Sequence, residues 1–422
     1  MKDTVVNDCC TGSSPTKMLS IDEGLTRILG AVTPLTESET VTLDSAQGRT
    51  LAQALISPIN VPAHNNSAMD GYAIRAQDLS AEGDTRLQVI ASVLAGHPFN
   101  GSIGPGECVQ IMTGAQIPEG LDTIVINEIS SRTGETVSFP AGVRKGQHLR
   151  LAGEDLGKGQ EALSAGTGLG PAEMGLIASL GLAEVEVLRK PRVAYFSTGD
   201  EIRSPGEALQ AGQIYDSNQY TVTAMLRDLG VEVIELGVIP DQREALEEAF
   251  QQASSQADVI ISSGGVSIGD ADYVKETLDQ LGEVDFWRMA IKPGRPLAFG
   301  RVEDTLFFGL PGNPVAVMIT FLQFVKPALK KLLGDSHWQP QQFQLPCGEL
   351  LKSQVGRSEF LRGIIKADAE GRPVVHTTGQ QGSGILTSMS RADCLIVLGP
   401  ECTGVEVGQP VWVQPLKGLL SC

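Results

Sequence analysis

Cysteine is too scarce and too poorly spaced to build a framework in this chain. The seven cysteines, an odd number, include no Cys-x-x-Cys, and only Cys9 and Cys10 are adjacent. That pattern excludes a disulfide scaffold and a zinc site, so the thiols read as reduced. Basic runs are missing as well. With a formal net charge of -18 and no block of Lys or Arg, the chain lacks the concentrated positive patch that nucleic-acid binding requires. No segment approaches the roughly 18 to 20 apolar residues that span a bilayer. The opening MKDTVVNDCCTGSSPTK has no apolar signal core. A cytoplasmic protein with neither a nucleic-acid nor a membrane partner is expected.

Two familiar phosphate loops are absent too. No Gly-x-Gly-x-x-Gly occupies a strand-to-helix turn, and GVSIGDA ends in Asp-Ala where a P-loop needs Lys-Ser/Thr. A dinucleotide dehydrogenase and a P-loop NTPase are thereby set aside.

What is present is an ordinary globular composition, 41% hydrophobic over 422 residues, long enough for two to four domains. Residues 1–18 are small and polar and read as disordered. An amphipathic helix starts at LSIDEGLTRILGAV, with Ser20 as N-cap and Glu23 three residues on, the spacing of a capping box. LDSAQGRTLAQALIS, Leu43 to Ser57, reads as a second helix. Residues 58–149 shift to short β-prone runs between glycines and prolines, a β-rich insertion domain. A helix is expected again from Pro171 to near Gly181, so residues 19–57 and 150–190 form a mixed linker domain.

From 191 to 336, strands RVAYFS, VEVIELGVI, DVIIS, PLAFGRV and TLFFGL alternate with helices expected over Asn218–Leu229, Gln242–Gln252, Ala271–Leu281 and Val315–Leu333. That alternation implies βαβ units and a mainly parallel sheet. Residues 337–422 read as a small C-terminal β-domain. The fold class is therefore α/β multidomain, with a central parallel α/β domain.

Ligands of open parallel sheets bind beyond the carboxyl ends of the strands, where helix N-termini present unpaired N–H groups. Here those ends carry STGDEI (Ser197 to Ile202), GVIPDQ with Asp241, ISSGGVSIGDADY (Ile261 to Tyr273) and GLPGNP (Gly309 to Pro314). Ser262-Ser263-Gly264-Gly265 lets the backbone approach a ligand and hold an anion. Asp241 and Asp270 also have the plainer reading of helix N-caps. Taken with Glu201 and Asp272, they point to Mg2+ bridging carboxylates to a phosphate or pyrophosphate. Arg288, Lys292 and Arg295, in a segment stiffened by proline, supply positive charge. In the insertion, VPAHNNSAMDGYAI groups Asn65, Asn66, Ser67 and Asp70, which a polar turn would also explain.

Taken together, NNSAMDGYA, IMTGA, GED, FSTGDE, GQIYDSN, SSGGVSIGDADY, IKPGRP and LPGNP, in this order, resemble the molybdopterin molybdenumtransferase family (MoeA-type), which includes the E domain of gephyrin. The likeness runs from about Leu19 to the C-terminus. It implies that the α/β domain binds molybdopterin and that molybdenum from molybdate is inserted into adenylylated molybdopterin, with Mg2+-dependent release of AMP. It makes Asp70, Thr113, Glu201, Asp241 and Asp272 the active-site acids and hydroxyl, with Asp241 and Asp272 on Mg2+. Cofactor-binding positions would be Ser197, Thr198, Gly199, Asp216 and Asn218, then Ser263, Gly264, Gly265, Ser267 and Lys292, and the turn Pro311, Gly312, Asn313 and Pro314. Lys292, Arg362 and Ser383 would hold molybdate.

The family also implies a homodimer in which Asp70 of one chain meets Asp272 of another, and a molybdopterin adenylyltransferase as partner. Three positions depart from the family pattern: Leu151 where a second arginine is frequent, Arg288 where lysine is common, and Asp270 where glutamate is common. A gephyrin-like scaffold and a non-catalytic pterin- or nucleotide-binding module are the alternatives.

Overall fold

The first helix, α1 (Ile21–Ala31), begins as its sequence dictates: Ser20 Oγ accepts from Glu23 N at 3.1 Å while Glu23 Oε2 accepts from Ser20 N at 2.9 Å, a reciprocal capping box. The computed structural model describes residues 18–265, 273–335 and 338–416. These divide into two compact units, one over Thr40–Gln47 and Leu51–Glu186, the other over the residues before Thr40, Gly48–Thr50 and everything from Val187 onward.

The smaller unit is organised by a six-stranded sheet. Its strands are β1 (Gly71–Ile74), β2 (Thr85–Val93), β3 (Glu107–Ile111), β4 (Thr123–Ile126), β5 (Ser131–Thr133) and β6 (Thr136–Phe139), in the order β4-β1-β3-β2-β6-β5. Both faces are covered. Along β1, Tyr72 and Ile74 join a core with Leu87, Val125 and Phe139, while Ala73 joins Val109, Ile111 and Ile124 on the opposite side. The two-residue period of a strand separates the two cores.

The helix expected over Leu43–Ser57 does not form. Only a short 3-10 turn, Leu43–Ser45, and a two-residue strand, Leu55–Ile56, occur there. Gly48 takes φ +74°, which stops a right-handed helix. Beyond it the backbone bonds elsewhere, Leu51 N to Thr167 O at 2.9 Å and Ala52 N to Glu186 O at 3.1 Å. The second expected helix is present as α2 (Pro171–Ser179).

In the larger unit the alternation becomes β7 (Arg192–Thr198), α3 (Ser217–Asp228), β8 (Glu232–Ile239), α4 (Arg243–Gln256), β9 (Val259–Ser263) and α5 (Tyr273–Leu281), then β10 (Gly282–Arg288), β11 (Ile291–Lys292), β12 (Pro296–Val302) and β13 (Thr305–Leu310). Six of these strands form one sheet in the order β8-β7-β9-β13-β12-β10. The first four are parallel; β12 and β10 add antiparallel at one edge. Strand β10 has no counterpart in the sequence reading, because Glu283, Asp285 and Arg288 break its apolar run.

The last long helix is interrupted. Between α6 (Pro314–Thr320) and α7 (Lys326–Leu332) lies a π-helical turn, Phe321–Val325, just ahead of Pro327, which has no N–H to offer the carbonyl of Gln323.

The C-terminal strands β14 (Phe343–Pro346), β15 (Ser358–Ala367), β16 (Pro373–Thr377), β17 (Cys394–Leu398) and β18 (Pro410–Pro415) form a second sheet, into which β11 is also drawn. Ile291 and Lys292 pair in parallel with Ser358 and Glu359. The α/β sheet and the C-terminal sheet are thereby joined through one two-residue strand. All four cysteines among the described residues, Cys108, Cys347, Cys394 and Cys402, are free thiols.

Candidate functional site

A cavity of about 790 Å³ opens at the carboxyl ends of β7, β8 and β9 and is also lined by the β11–β12 loop and by loop residues next to the strands of the C-terminal sheet. Every parallel strand ends there because all of them run the same way, so their following loops converge.

The floor is made of hydroxyls. Ser197, at the end of β7, and Ser263, at the end of β9, lie beside each other in the parallel register. Each bonds to the hydroxyl of Tyr195, at 2.9 Å and 2.8 Å. Tyr195 is wholly buried, and burial pushes its phenol above the ordinary range, so it stays protonated and holds both serines. Thr198, next along β7, is buried with no hydrogen-bond partner for Oγ1 among the described residues. Gly199 also lines the cavity.

The turn after β9 needs its glycines. Gly264 has φ +92°, and a Cβ there would sit 2.4 Å from Thr198 O; Gly265 has φ +63°, and a Cβ would meet Val274 Cγ2 at 2.4 Å. Any side chain would clash with the wall. The next positions of this loop, among them Ser267, Asp270 and Asp272, lie outside the described residues.

Acids approach from the β7 and β8 side. Glu201 and Asp241 both line the cavity, and Asp200 Oδ1 accepts from Asp241 N at 3.3 Å. Burial first, then the charges of Asp200 and Glu201, raise the carboxyl of Asp241 above its usual value. Deeper in, Asp216 caps α3 by accepting from Gln219 N at 2.9 Å, and Asn218 donates through Nδ2 to Gly312 O at 2.8 Å. No three His, Cys, Asp or Glu side chains among the described residues converge closely enough to hold a metal ion alone.

Cations come from the opposite side. Lys292 and Arg295 flank Pro293 and Gly294 in the loop from β11 to β12, and Arg357, just before β15, joins them on the wall. Pro311, Gly312 and Asn313 lead into α6, which Pro314 begins. Ser383 reaches the cavity, and its carbonyl accepts from Val315 N at 3.0 Å.

Arg362 stands behind this wall. It is fully buried, and its guanidinium donates to Ser388 Oγ at 3.0 Å, Gly382 O at 3.1 Å and Phe360 O at 3.4 Å. Burial, with no carboxylate beside it among the described residues, lowers its pKa to about 10. Arg288 is exposed at the end of β10 and is not part of the wall.

Asp70 and Thr113 belong to the smaller unit. Asp70 Oδ1 accepts from both Thr113 N and Thr113 Oγ1, each at 2.7 Å. These two hydrogen bonds, backbone then side chain, hold the exposed carboxyl below its ordinary value. Arg357 and Gln381 on the cavity wall were not singled out in the sequence; their one local signal is nearness to Arg362 and Ser383, five and two residues further along.

Comparison with known proteins bears on this geometry. The chain matches the MoeA N-terminal region (domain I and II) over residues 19–181, a probable molybdopterin binding domain over 194–331 and the MoeA C-terminal region (domain IV) over 344–416. It is 42% identical over 406 residues to the molybdopterin molybdenumtransferase of Haemophilus influenzae, covering 96% of this chain and 100% of the relative. To the molybdopterin molybdenumtransferase of a Nostoc species it is 36% identical over 389 residues, 90% of this chain and 89% of the relative. The crystal structure of the molybdopterin biosynthesis MoeA protein of Pyrococcus horikoshii superposes with a TM-score of 0.81 at 28% identity, covering 94% of this chain and 100% of that one.

Proposed function

The chain belongs to the molybdopterin molybdenumtransferase family, and on that premise we propose how its cavity carries out the transfer. The protein is a transferase of molybdenum cofactor biosynthesis, acting on molybdopterin. In the proposed reaction the substrates are adenylylated molybdopterin and molybdate, and AMP is released as molybdenum enters the dithiolene. One observation carries this reading: a single cavity walled by carboxylates on one side of the sheet and by fixed cations on the other.

A pyrophosphate cannot lie against Glu201 and Asp241 unless positive charge intervenes, and Mg2+ held by Asp241 and the expected Asp272 would supply it. The chain's own residues do the rest. Tyr195 has one O–H to give, so of Ser197 and Ser263 the one that accepts from it is left to donate to a phosphate oxygen, while the other donates to Tyr195. The Gly264 N–H is taken by the Leu310 carbonyl at 3.2 Å, so this turn serves by letting the backbone approach the ligand closely. Lys292, Arg295 and Arg357 offset the negative charge that gathers on the phosphates as a water oxygen bonds to phosphorus and the P–O bond to AMP breaks, and the same groups, with Ser383, attract the molybdate dianion. Arg362 acts through Gly382, by fixing the peptide that precedes Ser383.

Asp70 and Thr113 are proposed to serve the reaction from a second copy of the chain, which makes the working form a homodimer. A mixture of Asp70→Ala and Asp241→Ala chains, each inactive, then regains a fraction of the activity; failure to do so removes the dimer from the scheme. The proposed substrate supplier is a molybdopterin adenylyltransferase. The proposed setting is the cytoplasm, which agrees with four free thiols.

The test is single-turnover AMP release from adenylylated molybdopterin with and without molybdate and Mg2+. Release that needs both supports molybdenum insertion. Release with Mg2+ alone leaves a hydrolase, and tight binding without release leaves the scaffold or binding module.

A further inference from the structure

Two buried acceptors at the start of α3 have no donor among the described residues. Asp216 is 2% exposed and Asn218 is 8% exposed, and both line the cavity. One oxygen of Asp216 is used, Oδ1 on Gln219 N; Oδ2 is buried with no partner among the described residues. The amide of Asn218 is oriented by its own bond, since Nδ2 must face the Gly312 carbonyl. Its Oδ1 therefore points away from that carbonyl, and it too is buried and unpartnered among the described residues. Leaving a buried polar atom unpaired costs about 1–3 kcal/mol, and more where it is charged, so each is a place where a ligand's donor is wanted.

Acceptors alone make a selective site. An adenine edge alternates donor and acceptor, so it would set a ring-nitrogen lone pair against one of these oxygens. A pterin carries adjacent donors, the 2-amino group and N3–H, which a carboxylate and a neighbouring amide oxygen satisfy together.

We propose that Asp216 and Asn218 bind the 2-amino and N3–H edge of the substrate's pterin, and so fix which end of the substrate lies at the base of α3. The proposal rests on the molybdopterin reading of this cavity and specifies it. Asp216 acts here as a specificity residue: it selects the pterin and leaves the phosphates to the hydroxyls and cations already described.

The experiment compares two fluorescent probes on the full chain, 2-amino-4-oxopteridine and 2,4-dioxopteridine; both keep N3–H, but in the second the 2-amino donor becomes a carbonyl acceptor and N1 gains a hydrogen. The wild-type chain is expected to bind the amino compound at least about tenfold more tightly, the worth of one good buried hydrogen bond to a charged group. In Asp216→Asn the preference is expected to fall to about twofold or less, because the new amide presents a donor as well as an acceptor. Asparagine caps helices as well as aspartate does, so the melting temperature and the affinity for AMP stay at wild-type values. Equal binding of both probes by the wild-type chain, no binding of the amino compound up to millimolar concentration, or an AMP affinity that falls in step with the pterin's overturns the assignment. AMP release that needs molybdate can persist through any of these results, so failure of the pterin site and failure of the transferase reading are distinguishable.

Discussion

Lys292 Nζ lies 3.2 Å from Glu359 Oε2, a pair in which the lysine side chain is half exposed and the carboxylate is 2% exposed. The two residues stand opposite each other where β11 pairs with β15. The cavity-lining lysine is thus tethered by a glutamate on the neighbouring strand of the C-terminal sheet.

Glu359→Gln keeps the shape and removes the charge. Because Lys292 is half exposed, the tether is worth only about 0.5–1 kcal/mol, so KM for molybdate rises about two- to fivefold with kcat changed less. Lys292→Met has a larger effect of its own, and adding Glu359→Gln to it changes nothing further in KM. Two additive effects in that double-mutant cycle would reduce Glu359 to a structural role.

The raised carboxyl of Asp241 gives the reaction a pH signature. Burial, Asp200 and Glu201 lift it above its ordinary 3.8, so a proton competes for it at higher pH than for an isolated aspartate. The Mg2+ concentration giving half-maximal AMP release therefore climbs as pH is lowered toward that raised value, and levels off above it. Asp241→Asn abolishes the pH dependence and costs on the order of a hundredfold in kcat. Its charge is a liability to the fold at neutral pH, so the variant's melting temperature does not fall. A Mg2+ requirement that stays constant as pH is lowered all the way to 3.8 would take Asp241 out of the metal site.

Stability in the larger unit leans on Asp258. Arg189 donates to its two oxygens at 2.7 Å each, and Arg192 N adds a third bond at 2.7 Å. Burial pushes this carboxyl up, but the Arg189 and Arg192 contacts outweigh burial and leave it below 3.8. A depressed acid stabilises the fold fully above its unfolded value and loses that contribution as pH falls through the folded one. Asp258→Ala is expected to cost about 3 kcal/mol in urea unfolding at pH 7. The gap from wild type narrows as pH drops below 3.8. A gap constant down to pH 2.5 would contradict the linkage.

Arg362 is a fork without an acid, satisfied by a hydroxyl and two carbonyls. Lysine cannot reproduce three directed bonds in that buried space. Arg362→Lys is expected to lose about 1.5–3 kcal/mol and to raise KM for molybdate, because Gly382 and Ser383 are no longer held. A variant with lowered stability and unchanged KM would confine Arg362 to packing.

The motifs that mark the site were legible in the chain because each is local. The Ser20/Glu23 box, the glycines after β9 and the acids after β7 and β8 act within a few residues of where they are written. The helix expected over Leu43–Ser57 failed for the complementary reason: its apolar spacing was right, but Leu51 and Ala52 find their hydrogen-bond partners more than 100 residues away. The edge strand β10 was invisible because its exposed face carries charge.

The sequence by itself determined the α/β alternation, the carboxylates at the strand ends and the family. Periodicity, strand-end chemistry and long motifs are properties of neighbouring residues, and they survive without knowledge of the fold. Only the tertiary structure decided that Arg357 and Gln381 share a wall with Lys292, that Arg362 lies behind that wall, and that Asp216 and Asn218 keep acceptors in the cavity with no partner among the described residues. Pairing between β11 and β15 brings residues 67 apart into one hydrogen-bonding arrangement. Which polar atoms remain unsatisfied can be known only after every other contact has formed.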